Sequence, residues 1–124
     1  MTPRSARVAR RSAVALALLL AAPVAALAAS PYEGRWAEDP AWCARTGTDE
    51  APIVITRRAI EQFASHCTVQ SVRRKGAAWW LQTLCRDEGD DSKRTPNTFV
   101  LRVDGDALAM RDARGIRNFT RCPR

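Results

Sequence analysis

Histidine occurs once in the 124 residues, at His66, and this scarcity excludes a His-centred catalytic triad and any multi-histidine metal site. The four cysteines, Cys43, Cys67, Cys85 and Cys122, form no Cys-x-x-Cys pair and are widely spaced, which argues against structural zinc. No apolar run reaches the roughly 20 residues of a membrane-spanning helix, since the one in the first 28 residues is interrupted by Pro23. Acidic residues are absent from those 28 residues as well.

What stands there instead is an export signal. Arg4, Arg7, Arg10 and Arg11 make a positive n-region, residues 13 to 20 an apolar h-region, and Ala26-Leu27-Ala28 a small-residue cleavage site. Arg10-Arg11 lacks the supporting pattern of twin-arginine export. Residues 1 to 28 are therefore expected to be a signal peptide and residues 29 to 124 one small periplasmic or secreted domain of 96 residues, with no transmembrane span after cleavage. Cleavage lowers the formal charge from +7 to +3, with 16 Lys and Arg against 13 Asp and Glu, and this removes the case for nucleic-acid binding. A domain of this size buries only about two-thirds of its unfolded surface, so covalent support is expected. Four cysteines in an oxidising compartment provide it, with three connectivities open.

The central stretch narrows them. Residues 68 to 72 and 78 to 85 carry the β-branched and aromatic residues of two strands, with the polar run 73 to 77 between them. With Gly76 at the centre of the turn, Cys67 faces Cys85, Val69 faces Thr83, Ser71 faces Leu81 and Arg73 faces Trp79. A three-residue turn at 74 to 76 leaves the sulfurs diagonal on one face, whereas a two-residue Lys75-Gly76 turn puts them on opposite faces. The hairpin favours Cys67 with Cys85, a link of about 3 kcal/mol in the chain-entropy model, and leaves Cys43 with Cys122 to tie the ends for rather more.

Around it, residues 34 to 37, 52 to 56, 98 to 103 and 107 to 111 read as strands, and residues 116 to 122 close the domain. Asp104-Gly105-Asp106 is a strong hairpin signal and Ala113-Arg114-Gly115 a further turn. Thr56 could cap a short helix, but Arg57-Arg58 as a tight turn with residues 59 to 63 pairing back suits the neighbouring strands better. The fold class expected is all-β: seven or eight short antiparallel strands in a disulfide-stabilised meander, curled into a barrel to remove its edges. Val69, Trp79, Leu81, Phe99, Leu101, Val103, Leu108 and Met110 are its expected core.

Gly34-Arg35-Trp36 followed by a meander resembles the opening of lipocalin-like (calycin) barrels. That likeness implies that Trp36 closes one barrel end and stacks on a basic residue of the last strand, Arg121 or Arg117. His66-Cys67-Thr68-Val69 and Trp79-Trp80-Leu81 with Cys85 also resemble the small periplasmic inhibitors of bacterial metalloproteases over about half of the mature chain, although the pair Cys43 and Cys122 departs from that pattern. This second likeness implies that the leader, residues 29 to 33 with Ser30, Pro31 and Tyr32, projects from the barrel into a protease cleft. The run from Gly-x-Trp to a final Arg-Cys is similar, too, to many uncharacterised small exported proteins of proteobacteria.

Other candidate residues point to surfaces. His66 next to Cys67 lies on the opposite strand face, so the two do not form a base–nucleophile pair. Asp87, Glu88, Asp90 and Asp91 lack the alternate spacing of a calcium loop and read as a solvated turn. Of Trp79 and Trp80 one faces inward, which leaves Trp80 beside Val72 and Leu84 as an exposed contact or an outer packing cluster. Trp42, in the loop with Cys43, is a second aromatic contact. The five arginines between residues 111 and 124, Arg117 and Arg121 among them, suit either acidic envelope polymers or protection of an edge strand. The expectation is a monomeric envelope protein that acts by surface binding without a cofactor or catalysis. Its partner is open, an envelope protein or hydrolase among the choices; a protease inhibitor and a small-ligand module of lipocalin type are the alternatives.

Overall fold

A computed structural model describes residues 2, 3 and 28 to 124; most of the export-signal pattern, residues 4 to 27, lies outside the described residues. Eight antiparallel strands follow one another around a closed barrel. They are β1 (Gly34–Ala37), β2 (Ile53–Ile55), β3 (Ala59–Gln62), β4 (Ser65–Lys75), β5 (Ala78–Asp87), β6 (Thr95–Asp104), β7 (Ala107–Asp112) and β8 (Gly115–Arg121), and β8 returns to pair with β1. A 3-10 turn, Pro40–Trp42, starts the connection from β1 to β2. No helix among the described residues is long and apolar enough to cross a membrane.

Turn chemistry sets most of the path. Asp104 pairs with Ala107 across Gly105-Asp106, and Gly105 sits at φ +57°, which an L side chain adopts only with strain. Thr56 caps a turn rather than a helix: its hydroxyl accepts from the amides of Arg58 (3.2 Å) and Ala59 (3.1 Å), and Ile55 pairs with Ile60 beyond them. The disulfides are Cys67–Cys85 and Cys43–Cys122.

The central hairpin keeps the expected pairing at its base and departs from it at its tip. Cys67 faces Cys85 and Val69 faces Thr83, but the turn is a two-residue Gly76-Ala77 one, with Lys75 opposite Ala78. A bulge at Gln70 absorbs the difference, so Ser71 pairs with Gln82, Val72 with Leu81 and Arg73 with Trp80. Two expected pairs, Ser71 with Leu81 and Arg73 with Trp79, are thereby corrected. Val72 pairs with Leu81 instead of standing opposite Trp80, and it remains 38% exposed.

Inside, Leu81, Phe99, Leu101, Leu108 and Met110 are buried as expected, while Val69, Trp79 and Val103 are partly buried against them. Ile53, Ile55, Ile60, Trp36, Phe119 and, unexpectedly, Tyr32 complete the core.

Candidate functional site

One end of the barrel is sealed by its own leader. Trp36 lies fully buried at the start of the core, and its indole N–H donates to the carbonyl of Tyr32 at 2.9 Å. Arg121, from the end of β8, lays its guanidinium 4.1 Å from the centre of the Trp36 ring. It also donates to the carbonyls of Glu33 (2.9 Å) and Pro31 (2.7 Å). Of the two arginines offered for this stack, Arg121 takes it. Gly34 makes the approach possible, because a Cβ there would stand 2.9 Å from an Arg121 nitrogen.

The leader therefore does not project. Tyr32 is 1% exposed and meets the edge of the Trp79 ring at a centroid distance of 5.3 Å. The Glu33 carboxylate accepts from the amides of Ser30 (2.5 Å) and Arg57 (3.1 Å), which pins the segment to the turn between β2 and β3. Once its aromatic ring has left water, the free energy of that burial favours the docked leader over an extended one. The projecting leader of Ser30, Pro31 and Tyr32 is corrected accordingly.

The other end is open and polar. Depressions of about 430 and 300 Å³ adjoin there. The first lies between Asp49, Ala51, Ile53 and Gln62 on one bank and Arg114 and Arg117 on the other. The second lies over the Cys67–Cys85 disulfide, Asn97, Phe99 and Asp112. Arg117 points into this mouth, donates to Gln62 at 2.6 Å and stands 3.6 Å from Glu38. Burial alone would raise the pKa of Asp112; the Arg114 amide and guanidinium, with a hydrogen bond to Asn97, outweigh it and hold the carboxyl below its ordinary 3.8.

The outer wall carries a third feature. Arg73, Trp80, Val100, Arg111 and Ile116 are successive cross-strand partners from β4 to β8, so they form one row on the outside of the barrel. Lys75 lies 4.2 Å and Arg111 6.0 Å from the Trp80 ring centre. Arg102 belongs to the adjacent row, and Ile116 is 65% exposed. None of the six ion pairs among the described residues involves Arg73, Lys75, Arg102 or Arg111. Depressions of about 170 and 400 Å³ flank Val100 and Arg111.

The candidate residues thus do not converge. Arg121 belongs to the sealed end, Arg117 to the open mouth and Trp80 to the outer wall. Trp42 sits half-buried in the 3-10 turn under Arg45, whose guanidinium is 5.5 Å from its ring. His66 pairs across the strands with Glu61 at 2.6 Å, apart from the buried Cys67. The acidic loop is exposed, with Asp91 held by Arg86 at 3.5 Å. Arg73 was missed because only the bulge at Gln70 brings it opposite Trp80, and Val100 and Ile116 because their place beside Trp80 depends on the β5–β6 and β7–β8 registers, which no single residue announces. No family model, curated protein or solved structure matches the chain.

Two outcomes follow from the ends of the barrel. Tyr32→Ala is expected to lower unfolding free energy by about 3 kcal/mol in urea titration, the scale of an aromatic lost from a core; a loss below about 1 kcal/mol contradicts the sealed end. Asp112 has a folded pKa below its unfolded one, so its contribution to stability is complete above the ordinary carboxylate range and is lost as pH falls from 3.8 through the folded value. Asp112→Asn should flatten the decline of stability in that acid window, and an unchanged slope would show that the carboxylate is not held as described.

Proposed function

We propose that the mature chain is an exported envelope protein that acts by surface binding, not catalysis, and that the Arg73–Trp80–Val100–Arg111–Ile116 row is its contact face. The observation that carries this reading is the set of four cations without an acidic partner gathered around a half-buried tryptophan and an exposed isoleucine. Tryptophan and arginine are the residue types that concentrate binding energy at protein interfaces. Cations held over an aromatic ring are ordered before a partner arrives, which reduces the entropy lost on binding. The surrounding scaffold is rigid for the same purpose, with a closed barrel and two disulfides compatible with an oxidising compartment.

With the leader docked into the barrel, inhibition of a hydrolase would use this face in its place. A small-ligand module is the second reading. It is favoured by the 300 Å³ depression over Cys67, Cys85 and Asn97, beneath which Phe99 and Leu81 fill the barrel.

Trp80→Ala, made in the mature protein, should reduce capture of envelope partners at least about tenfold while leaving the fold intact, because the ring lies outside the core. The measurement is quantitative pull-down from an envelope extract, with a circular-dichroism melt of the variant alongside. Undiminished capture by a folded Trp80→Ala variant would move the contact face elsewhere.

A further inference from the structure

The barrel is closed, yet the closing pair of strands is short. β1 meets β8 only at Trp36 with Arg121 and Ala37 with Thr120, after which Asp39 turns the chain into the 3-10 segment. β8 continues for five more residues toward the open mouth. Hydrogen-bond directions along it follow from two observed bonds. The Arg121 amide donates toward β7, to Asp106 at 2.8 Å, and the Cys122 amide donates toward β1, to Arg35 at 2.8 Å. Because these directions alternate along an antiparallel strand, Arg117 and Phe119 bond to β7, and Ile116 and Asn118 aim their N–H and C=O groups to the side that β1 has left.

Nothing among the described residues receives them. The β1–β8 register stops at Ala37 with Thr120, no turn or loop backbone among the described residues bonds to Ile116 or Asn118, the carbonyl of Asp39 is taken by Trp42, and both residues are exposed. The edge borders the 430 Å³ depression, whose far bank is formed by Gln62, Ile53 and Ala51. It is also where the outer Trp80–Val100–Arg111 row ends, at Ile116.

The geometry points to strand addition: β8 takes an extended polypeptide segment of another protein along Ile116–Asn118. This deepens the surface-binding reading above and rests on it. Two residues that each offer a donor and an acceptor in the plane of a sheet are matched by another peptide backbone and by few other ligands. An apolar side chain of the added strand opposite Ile116 would extend the outer row by one member, and the side chains beside it would face the mouth near Arg117.

The probe is a phage-displayed random dodecapeptide library panned on the mature protein, followed by affinity measurement of an enriched peptide. An Ile116→Pro/Asn118→Pro variant removes both edge donors without touching the bonds to β7, and it should weaken the peptide at least tenfold. As a control that needs no protein variant, backbone N-methylation scanned along the peptide should abolish binding at alternate positions and be tolerated between them. Failure to enrich any peptide binding below about 100 μM overturns the inference, as does an enriched peptide insensitive to both tests. A dimer in sedimentation that the double proline variant dissociates also overturns it, by assigning the edge to a second copy of this chain. Each of these failures leaves the Trp80→Ala capture result standing, so the two readings fail separately.

Discussion

The contact on which this barrel depends is the Arg121 guanidinium, which meets the Trp36 ring and the Pro31 and Glu33 carbonyls at once. An arginine fork is suited to this because its donors are fixed in one plane while its face remains free to stack. Between them, these bonds hold the leader, the first strand and the last strand together at a single point. The neighbouring Cys43–Cys122 disulfide adds a covalent tie from the loop after β1 to the residue after β8. With both constraints at one end, β1 is free to leave β8 after Ala37, and the opposite end stays open.

That asymmetry links packing to the proposed function. At the sealed end, aromatic rings from Tyr32, Trp36 and Trp79 replace solvent, and cations are consumed in holding them. Toward the open end and on the outer wall, cations around Trp80 have no acidic partner among the described residues, and two residues of β8 have no backbone partner there on the side that β1 leaves. Rigidity at one end and unsatisfied polar groups at the other are what a small scaffold needs to present a surface without rearranging.

Much of this was legible in the sequence where a local signal had one reading. Gly105 between two aspartates, the alternation of Phe99 and Leu101, and the cysteine spacing led to the β6–β7 hairpin, the inner face and both disulfides. The segment after Thr56 had two readings, and pairing decided it: Ile60 is buried between Ile55 and Cys67, a placement a helix of that length could not offer. The Gln70 bulge was not legible, because its cause is distributed between the glycine turn at one end and the disulfide at the other. Tyr32 was missed for a similar reason: Pro31 and Glu33 make its surroundings read as polar leader, and Trp79, which meets its ring, and Arg121, which holds the carbonyls on either side of it, lie far along the chain. The free edge of β8 depends on where β1 stops pairing, which sequence periodicity does not encode.

Amide hydrogen exchange along β8 in the isolated mature protein reads the bond directions that the Arg121 clasp imposes. Exchange should be slow at Arg117, Phe119 and Arg121 and about 100-fold faster at Ile116 and Asn118. Uniform protection from residue 116 to residue 121 would contradict it, by showing that β1 or another segment already covers that side of the strand.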